Sequence, residues 1–234
     1  MSNAVPIPKK ARQLCIYCQQ NEADTRDHVP GKSLFPKPRP TNLISVPACE
    51  SCNKGFHLDD DYFRLLSMAE MVGDNSSAQV VRTITRGSLD RPEAAKFLLE
   101  LRSKTEIAEV TTAEGIFTGE KARLLNFDRA RIRRIIKRYV RGLFYEETGR
   151  PLPLEVEFEA HFIGELEMDP LIYKEASEKL LFQIDKIPMK QIGDTFSYST
   201  KLFDEDSIAS LWKLQFFGGL VFYSWTYTKP SKDD

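Results

Sequence analysis

The pairs Cys15-Ile16-Tyr17-Cys18 and Cys49-Glu50-Ser51-Cys52 contain all four cysteines of the 234-residue chain. A Cys-x-x-Cys turn presents two sulfurs to one ion, and two such turns supply the four tetrahedral ligands that Zn²⁺ takes in structural sites. The alternative is two unrelated pairs that are buried or redox-active. Because no cysteine is left over, the pattern favours a structural zinc ion bound by all four thiolates.

Composition narrows the classes of protein to which the chain can belong. Hydrophobic residues make up 41% of the sequence, which is enough for a packed core. The formal net charge of −1 gives no general attraction for nucleic acid, so such a partner would need a local basic surface. The sequence has no run of about 18 apolar residues that would predict a membrane span, and positions 1–12 lack the apolar segment of a secretion signal. We therefore expect a cytoplasmic protein in a reducing compartment, where paired cysteines bind metal.

The segment between the cysteine pairs contains further residues with metal or acid–base chemistry. Asp27-His28 comes first and Asn42 follows, while Asn53 comes directly after the last cysteine. This order resembles the HNH endonucleases with a ββα-metal fold, particularly the zinc-stapled variety that includes phage junction-resolving enzymes. The resemblance covers residues 13–63 and does not extend to the rest of the chain.

The resemblance implies a role for each of these residues. Asp27 and Asn53 would hold a catalytic divalent ion, for which oxygen donors favour Mg²⁺ or Mn²⁺. His28 would be the general base that takes a proton from the attacking water, and Asn42 would orient its imidazole. Many HNH sites end in histidine where this chain has Asn53, although asparagine also occurs in the family. The alternative for Asp27-His28 is a turn-stabilising pair before Pro30.

Other candidates lie around this site in sequence. His57 follows Asn53 by one helical turn and is a candidate metal ligand or phosphate contact; the alternative is an exposed helix histidine without a role. Lys32 and Lys54 are candidate contacts to nucleic acid, as is the stiff basic loop over 36–40. The alternative for that loop is ordinary solvation.

The periodicity of residues 126–148 predicts a long helix with one apolar and one cationic face. We expect Asn126 to cap this helix and Gly149 to end it. Arg134 and Arg138 belong to the cationic face. That face is either a surface for the DNA backbone or a solvated face neutralised by acidic neighbours.

Patterns in the remaining chain predict further elements. They are a helix from Asp59 to Val72, helices over 76–86 and 92–104, a strand pair over 107–118, a strand over 154–163, a helix over 170–183, and strands near 195–203 and 211–228. The aromatic run 216–223 is predicted to be a core strand rather than a surface for stacking bases. The chain thus divides into a polar tail (1–12), a zinc module (13–63) and an α+β domain of unknown type (64–234), for which DNA binding is a candidate role.

The sequence therefore predicts an α+β protein, in which an N-terminal ββα-metal (HNH) zinc module precedes a mixed helix and strand domain. The expected function is metal-dependent endonuclease hydrolysis of phosphodiester bonds, first of all in DNA. Zn²⁺ would be the structural cofactor and Mg²⁺ or Mn²⁺ the catalytic one. One alternative is a non-catalytic zinc module that binds nucleic acid or protein. Another gives the main activity to the C-terminal domain.

Overall fold

The computed structural model describes residues 13–70, 105–112, 115–125, 127–163, 178–204 and 208–228, with single positions at 96, 99 and 103. These residues form a mixed α+β structure, which confirms the predicted class. The tail over 1–12, the helix predicted over 76–86 and most of the helix predicted over 92–104 lie outside them. Among the helices that are described, none is both long and apolar enough to cross a membrane.

The N-terminal part consists of a hairpin followed by two helices. Its elements are, in chain order, β1 (Thr25–His28), β2 (Ser45–Ala48), α1 (Glu50–Gly55) and α2 (His57–Glu70). The strands are antiparallel, and Cys49 is the N-cap residue of α1. The helix predicted from Asp59 is confirmed as α2, although it begins at His57. Asp59 and Asp60 therefore lie in its first turn, where carboxylates interact favourably with unpaired N–H groups.

The middle of the chain contains a second hairpin and the longest of the described helices. Its elements are β3 (Thr105–Thr111), β4 (Phe117–Leu125) and α3 (Arg129–Thr148). The strand pair predicted over 107–118 is confirmed, and β4 continues to Leu125. The cap predicted at Asn126 is wrong, because α3 begins after Asp128, whose carboxylate accepts a hydrogen bond from the Arg131 backbone N–H. The helix ends as predicted, since Gly149 adopts the left-handed conformation (φ 68°) that closes many helices.

The C-terminal part is a five-stranded antiparallel sheet in the order β5-β9-β8-β7-β6. Its elements are β5 (Glu157–Phe162), α4 (Glu178–Asp185), β6 (Lys190–Ile192), β7 (Phe196–Leu202), β8 (Ser210–Phe216) and β9 (Leu220–Tyr227). The strands predicted over 154–163, 195–203 and 211–228 are confirmed. The helix predicted over 170–183 is described only from Glu178 onward. The run 216–223 is buried apart from the glycine turn at its centre, as predicted for a core strand.

One hydrophobic core joins the N-terminal part to the sheet. The ring of Phe63 in α2 lies 4.8 Å from that of Phe216 in β8 and 5.9 Å from that of Tyr139 in α3, measured between centroids. The same core includes Ile16, beside the first cysteine pair, and Val46 of β2. Helix α3 therefore packs against both parts. Within the described residues, the 13–63 segment shares its core with the chain that follows it.

Gly142 marks a close approach between α3 and the hairpin. A Cβ atom there would lie 2.4 Å from Cγ2 of Val29. Gly142→Ala gains about 1 kcal/mol of helix propensity, but overpacking a filled contact costs about 1–3 kcal/mol. We expect a net loss of stability, measured as a lower urea midpoint. Gly55→Ala is the matched control, because a Cβ there would meet nothing within 4 Å. A Gly142→Ala protein as stable as this control would contradict the close packing.

Candidate metal centre and hairpin site

The four cysteines form a compact cluster between the loop before β1 and the start of α1. Their sulfur atoms all lie within 4.8 Å of one another, and none is in a disulfide. The sulfurs of Cys18 and Cys49 are 3.8 Å apart. A tetrahedral ion with Zn–S bonds of about 2.3 Å would set its sulfurs about 3.8 Å from one another. The cluster therefore has the donors and the spacing to hold a metal ion.

Cys49 is the cysteine whose surroundings most favour the thiolate. Burial raises the pKa of its thiol, but hydrogen bonds from Ser51, the Cys52 backbone and Asn21 outweigh this effect and bring the pKa to about 6. The Ser51 hydroxyl lies 3.2 Å from the sulfur. Because the N-terminus of a helix also stabilises negative charge, the position of Cys49 at the start of α1 suits a deprotonated metal ligand.

His28 ends β1 and is half-buried, whereas the preceding Asp27 points to the buried face of the hairpin. Burial lowers the pKa of His28 from its ordinary value of 6.5. The positive charge of Lys32 lowers it further, and Arg39 and Arg26 add to this against the opposing charge of Asp27. The imidazole is therefore neutral at pH 7 and can accept a proton.

The three cations that act on His28 form a basic surface around it. Arg26 lies on the same strand face as His28, since alternate residues share a face, and its guanidinium donates to the hydroxyl (3.0 Å) and the carbonyl of Ser45. Arg39 Nε donates to the carbonyl of Lys32 at 3.2 Å, which fixes the loop after β1. Lys32 is exposed, and its contact with phosphate stays a prediction.

Asp27 has both carboxylate oxygens bonded to protein donors. Tyr17 Oη donates to Oδ2 at 2.6 Å. Arg138 of α3 donates from Nε to Oδ2 at 3.0 Å and from Nη2 to Oδ1 at 2.7 Å. Asp27 was predicted to be a metal ligand. In the structure the guanidinium of Arg138 lies where the ion was expected.

Arg138 is 4% exposed, so its predicted place on an exposed nucleic-acid-binding face is wrong. The reason is a second carboxylate: Arg138 Nη1 also donates to Oδ1 of Asp60 at 2.6 Å, and Tyr139 Oη donates to the same atom at 3.0 Å. Sequence reasoning assigned Asp60 only to a helix start. The Asp-Asp-Asp run at 59–61 was the one local signal of an arginine partner.

The two asparagines make different contacts. Asn42 Nδ2 donates to the carbonyl of Gln191 in β6 at 2.9 Å, so its amide bonds to the C-terminal sheet rather than to His28 as predicted. Asn53 Nδ2 donates to Thr25 Oγ1 and to the Arg26 carbonyl, both at 3.2 Å. Asn53 thus lies beside β1, near the predicted site, and ties α1 to that strand.

His57 and Lys54 are both exposed. His57 is the first residue of α2, and its role as a metal ligand or phosphate contact stays a prediction. Lys54 lies 2.6 Å from the carboxylate of Glu50, four residues earlier on α1. A pair as exposed as this one contributes little to stability, but it partly neutralises the charge that Lys54 was predicted to offer to nucleic acid.

Three other arginines of α3 are also paired with acidic side chains. Arg131 and Arg134 donate to the carboxylate of Asp59 at 2.8 and 3.1 Å, and Arg133 lies 3.0 Å from Glu159 of β5. The Arg134 side chain remains 61% exposed. These contacts match the alternative of a cationic face neutralised by acidic neighbours.

Compared with protein-family models, with curated proteins and with solved structures, the chain gave no match.

Proposed function

We propose that the protein is an endonuclease that hydrolyses phosphodiester bonds, with DNA as its substrate and His28 as its general base. The observation that carries this proposal is the position of His28 at the end of β1, where its half-buried imidazole lies near Arg26, Lys32 and Arg39, and where burial and these charges keep it neutral at pH 7. A base among cations suits an anionic substrate, because the cations attract the phosphate while the base activates water. The resemblance of residues 13–63 to the HNH endonucleases points to the same chemistry.

In the proposed reaction, His28 takes a proton from water and the resulting hydroxide attacks phosphorus. The bond from phosphorus to the departing sugar oxygen breaks, and that oxygen takes a proton from solvent. Negative charge builds up on the phosphoryl oxygens during attack, and Arg26, Lys32 and Arg39 stabilise it. General base catalysis of this kind typically contributes about 10²–10⁴-fold to the rate.

Zinc is the ion that we propose for the cysteine cluster. Four thiolates fill a tetrahedral shell and leave no open position for water, which is the arrangement of a structural site. The cluster joins the loop before β1 to the start of α1. The proposed role of the ion is therefore to hold the hairpin and α1 together.

The second ion, Mg²⁺ or Mn²⁺ at Asp27 and Asn53, does not fit the arrangement of these residues. Both oxygens of Asp27 already accept hydrogen bonds, from Tyr17 and Arg138. The ion would then have only one neutral ligand from this pair, the side-chain amide oxygen of Asn53. The proposed chemistry therefore depends on His28 and the three cations around it.

A non-catalytic zinc module that binds nucleic acid is the second candidate. The contacts of Asp27 and Asn42 favour this candidate. In the HNH pattern Asp27 would bind the metal ion and Asn42 would orient His28, whereas here Asp27 accepts from Arg138 and Asn42 donates to the carbonyl of Gln191. The basic surface of Lys32 and Arg39 would serve binding alone.

The test is a cleavage assay on supercoiled plasmid with zinc-loaded protein, run in mild EDTA, in Mg²⁺ and in Mn²⁺, beside a gel-shift assay on the same DNA. We expect nicked or linear plasmid that accumulates with time and enzyme concentration. Binding without cleavage under all three conditions would establish the second candidate. Neither binding nor cleavage would reject both.

A further inference from the structure

Arg138 stands between two carboxylates that come from different parts of the chain. Three of its five N–H groups are accounted for by Asp27 of β1 and Asp60 of α2, at 2.6–3.0 Å. The Arg138 Cζ atom lies 4.1 Å from the ring centroid of Phe56, a cation–π distance. Tyr17 and Tyr139 each donate to a carboxylate oxygen that also accepts from Arg138.

The chemistry of this cluster is that of a cation site whose cation is supplied by the protein. Asp27 and Asp60 are both buried, and two buried carboxylates this close repel each other unless a positive charge lies between them. A divalent ion would need the oxygens that now accept from Arg138. The planar guanidinium satisfies Asp27 through two parallel hydrogen bonds, a geometry that a lysine cannot reproduce.

The same helix holds the chain on both sides of His28. Asp27 and Val29 are alternate residues on the buried face, and they meet Arg138 and Gly142, which are one helical turn apart on α3. His28, between them, has its side chain on the other face.

The chain beyond Val29 is fixed as well. A Cβ at Gly31 would lie 2.4 Å from Oδ2 of Asp60, so the backbone there lies directly against the carboxylate that Arg138 also holds. The backbone before, at and after His28 therefore rests on α3 and α2.

We propose that Arg138 is the resident cation of the Asp27–Asp60 pair, in place of a divalent ion, and that it is a positioning residue which fixes β1 so that His28 faces the basic surface. The first part concerns the nature of the cation and does not depend on whether the protein has any catalytic activity. The second part rests on the proposed function, because it gives His28 a reaction to serve.

The first experiment uses Mn²⁺ as a paramagnetic probe of the wild-type, zinc-loaded protein. An ion bound at Asp27 would broaden the NMR signals of the neighbouring His28 imidazole far more than those of His161 on β5, which serves as the internal control. We expect no such difference, or a difference that survives in Asp27→Asn. Selective broadening of His28 that disappears in Asp27→Asn would overturn the proposal.

The second experiment is a double-mutant cycle of Asp27→Asn and Arg138→Gln, read as urea midpoints. If the two residues are partners, Arg138→Gln leaves Asp27 without its cation, and Asp27→Asn leaves Arg138 with Asp60 as its remaining carboxylate. The double variant should therefore lose less than the sum of the two single losses. Additive losses would overturn the pairing. If a single variant does not fold, the Mn²⁺ titration of wild type still decides the nature of the cation.

The third experiment separates positioning from folding. Arg138→Lys keeps the charge but loses the paired hydrogen bonds, so we expect kcat for plasmid cleavage to fall about 10-fold or more while KM, zinc content and secondary structure stay near wild type. An unchanged kcat in folded Arg138→Lys would remove the positioning role. Absence of cleavage by the wild-type protein would instead reject the proposed function, and the first two experiments would still test the cation.

Discussion

His28→Ala is expected to lower the rate of plasmid cleavage by about 10²-fold or more, the effect of removing a general base. The substitution removes a half-buried side chain at the end of β1 and leaves the contacts of Asp27 and Val29 with α3 in place. Zinc content and the urea midpoint should therefore stay close to wild type, so that the loss is one of chemistry. Single-turnover rates, measured with DNA bound, report this step directly.

The matched control is His161→Ala. His161 is half-buried on β5 and stacks on Trp225 at 5.0 Å between centroids, so its loss tests for a general effect of removing a histidine. We expect cleavage by this variant to remain near wild type. Equal activity in His28→Ala, from protein free of contaminating nuclease, would remove His28 from the mechanism.

The pH dependence of cleavage gives the same prediction a second readout. A general base must be unprotonated, so the rate falls as pH drops through its pKa. Burial and the charge of Lys32 lower the pKa of His28 below 6.5, and the acidic limb of the profile should lie below that pH. Lys32→Gln removes one of these charges and should move the limb to higher pH.

Features with a local signal were the predictable ones. The apolar residues of α3 recur at helical spacing, and Gly149 closes the helix as its sequence position indicates. The cysteine cluster could be predicted from the spacing within each pair, because a Cys-x-x-Cys turn is made by neighbouring residues. The cap was predicted at Asn126 but lies at Asp128. The two are easily confused, because both residue types cap helices and these two residues are close together in the chain.

The contacts that define the site could not be predicted from local sequence patterns, because they join residues far apart in the chain. Asp27 and Arg138 are separated by 111 positions, and nothing local distinguishes Arg138 from the other arginines of α3. An arginine on an amphipathic helix is ordinarily exposed, so periodicity placed it on the outer face. Its burial follows from the packing of β1 and α2 on α3. Asn42 is a similar case, since its partner Gln191 lies on a strand of the distant sheet.

Cys49→Ser is expected to produce the largest change in structure, with loss of the proposed zinc ion and unfolding of the hairpin and α1 together. Cys49 is the N-cap residue of α1, and its surroundings lower the pKa of its thiol to about 6, so its loss removes a favourable thiolate as well as one of four ligands. Structural zinc sites contribute about 10 kcal/mol or more of apparent binding free energy. Because Ile16 and Val46 belong to the core that includes α3, the loss should also lower the stability of the sheet that packs on that helix.

Elemental analysis and near-ultraviolet circular dichroism measure the two effects. Wild-type protein should retain about one zinc per chain through mild EDTA, whereas Cys49→Ser should retain almost none and lose tertiary signal. Glu50→Ala is the matched control within the same knuckle, because the Glu50 side chain is exposed and its partner is Lys54. That control should keep its zinc. A Cys49→Ser protein with wild-type zinc content and stability would show that the four sulfurs do not share an ion, and the hairpin that presents His28 would then depend on its contacts with α1, α2 and α3.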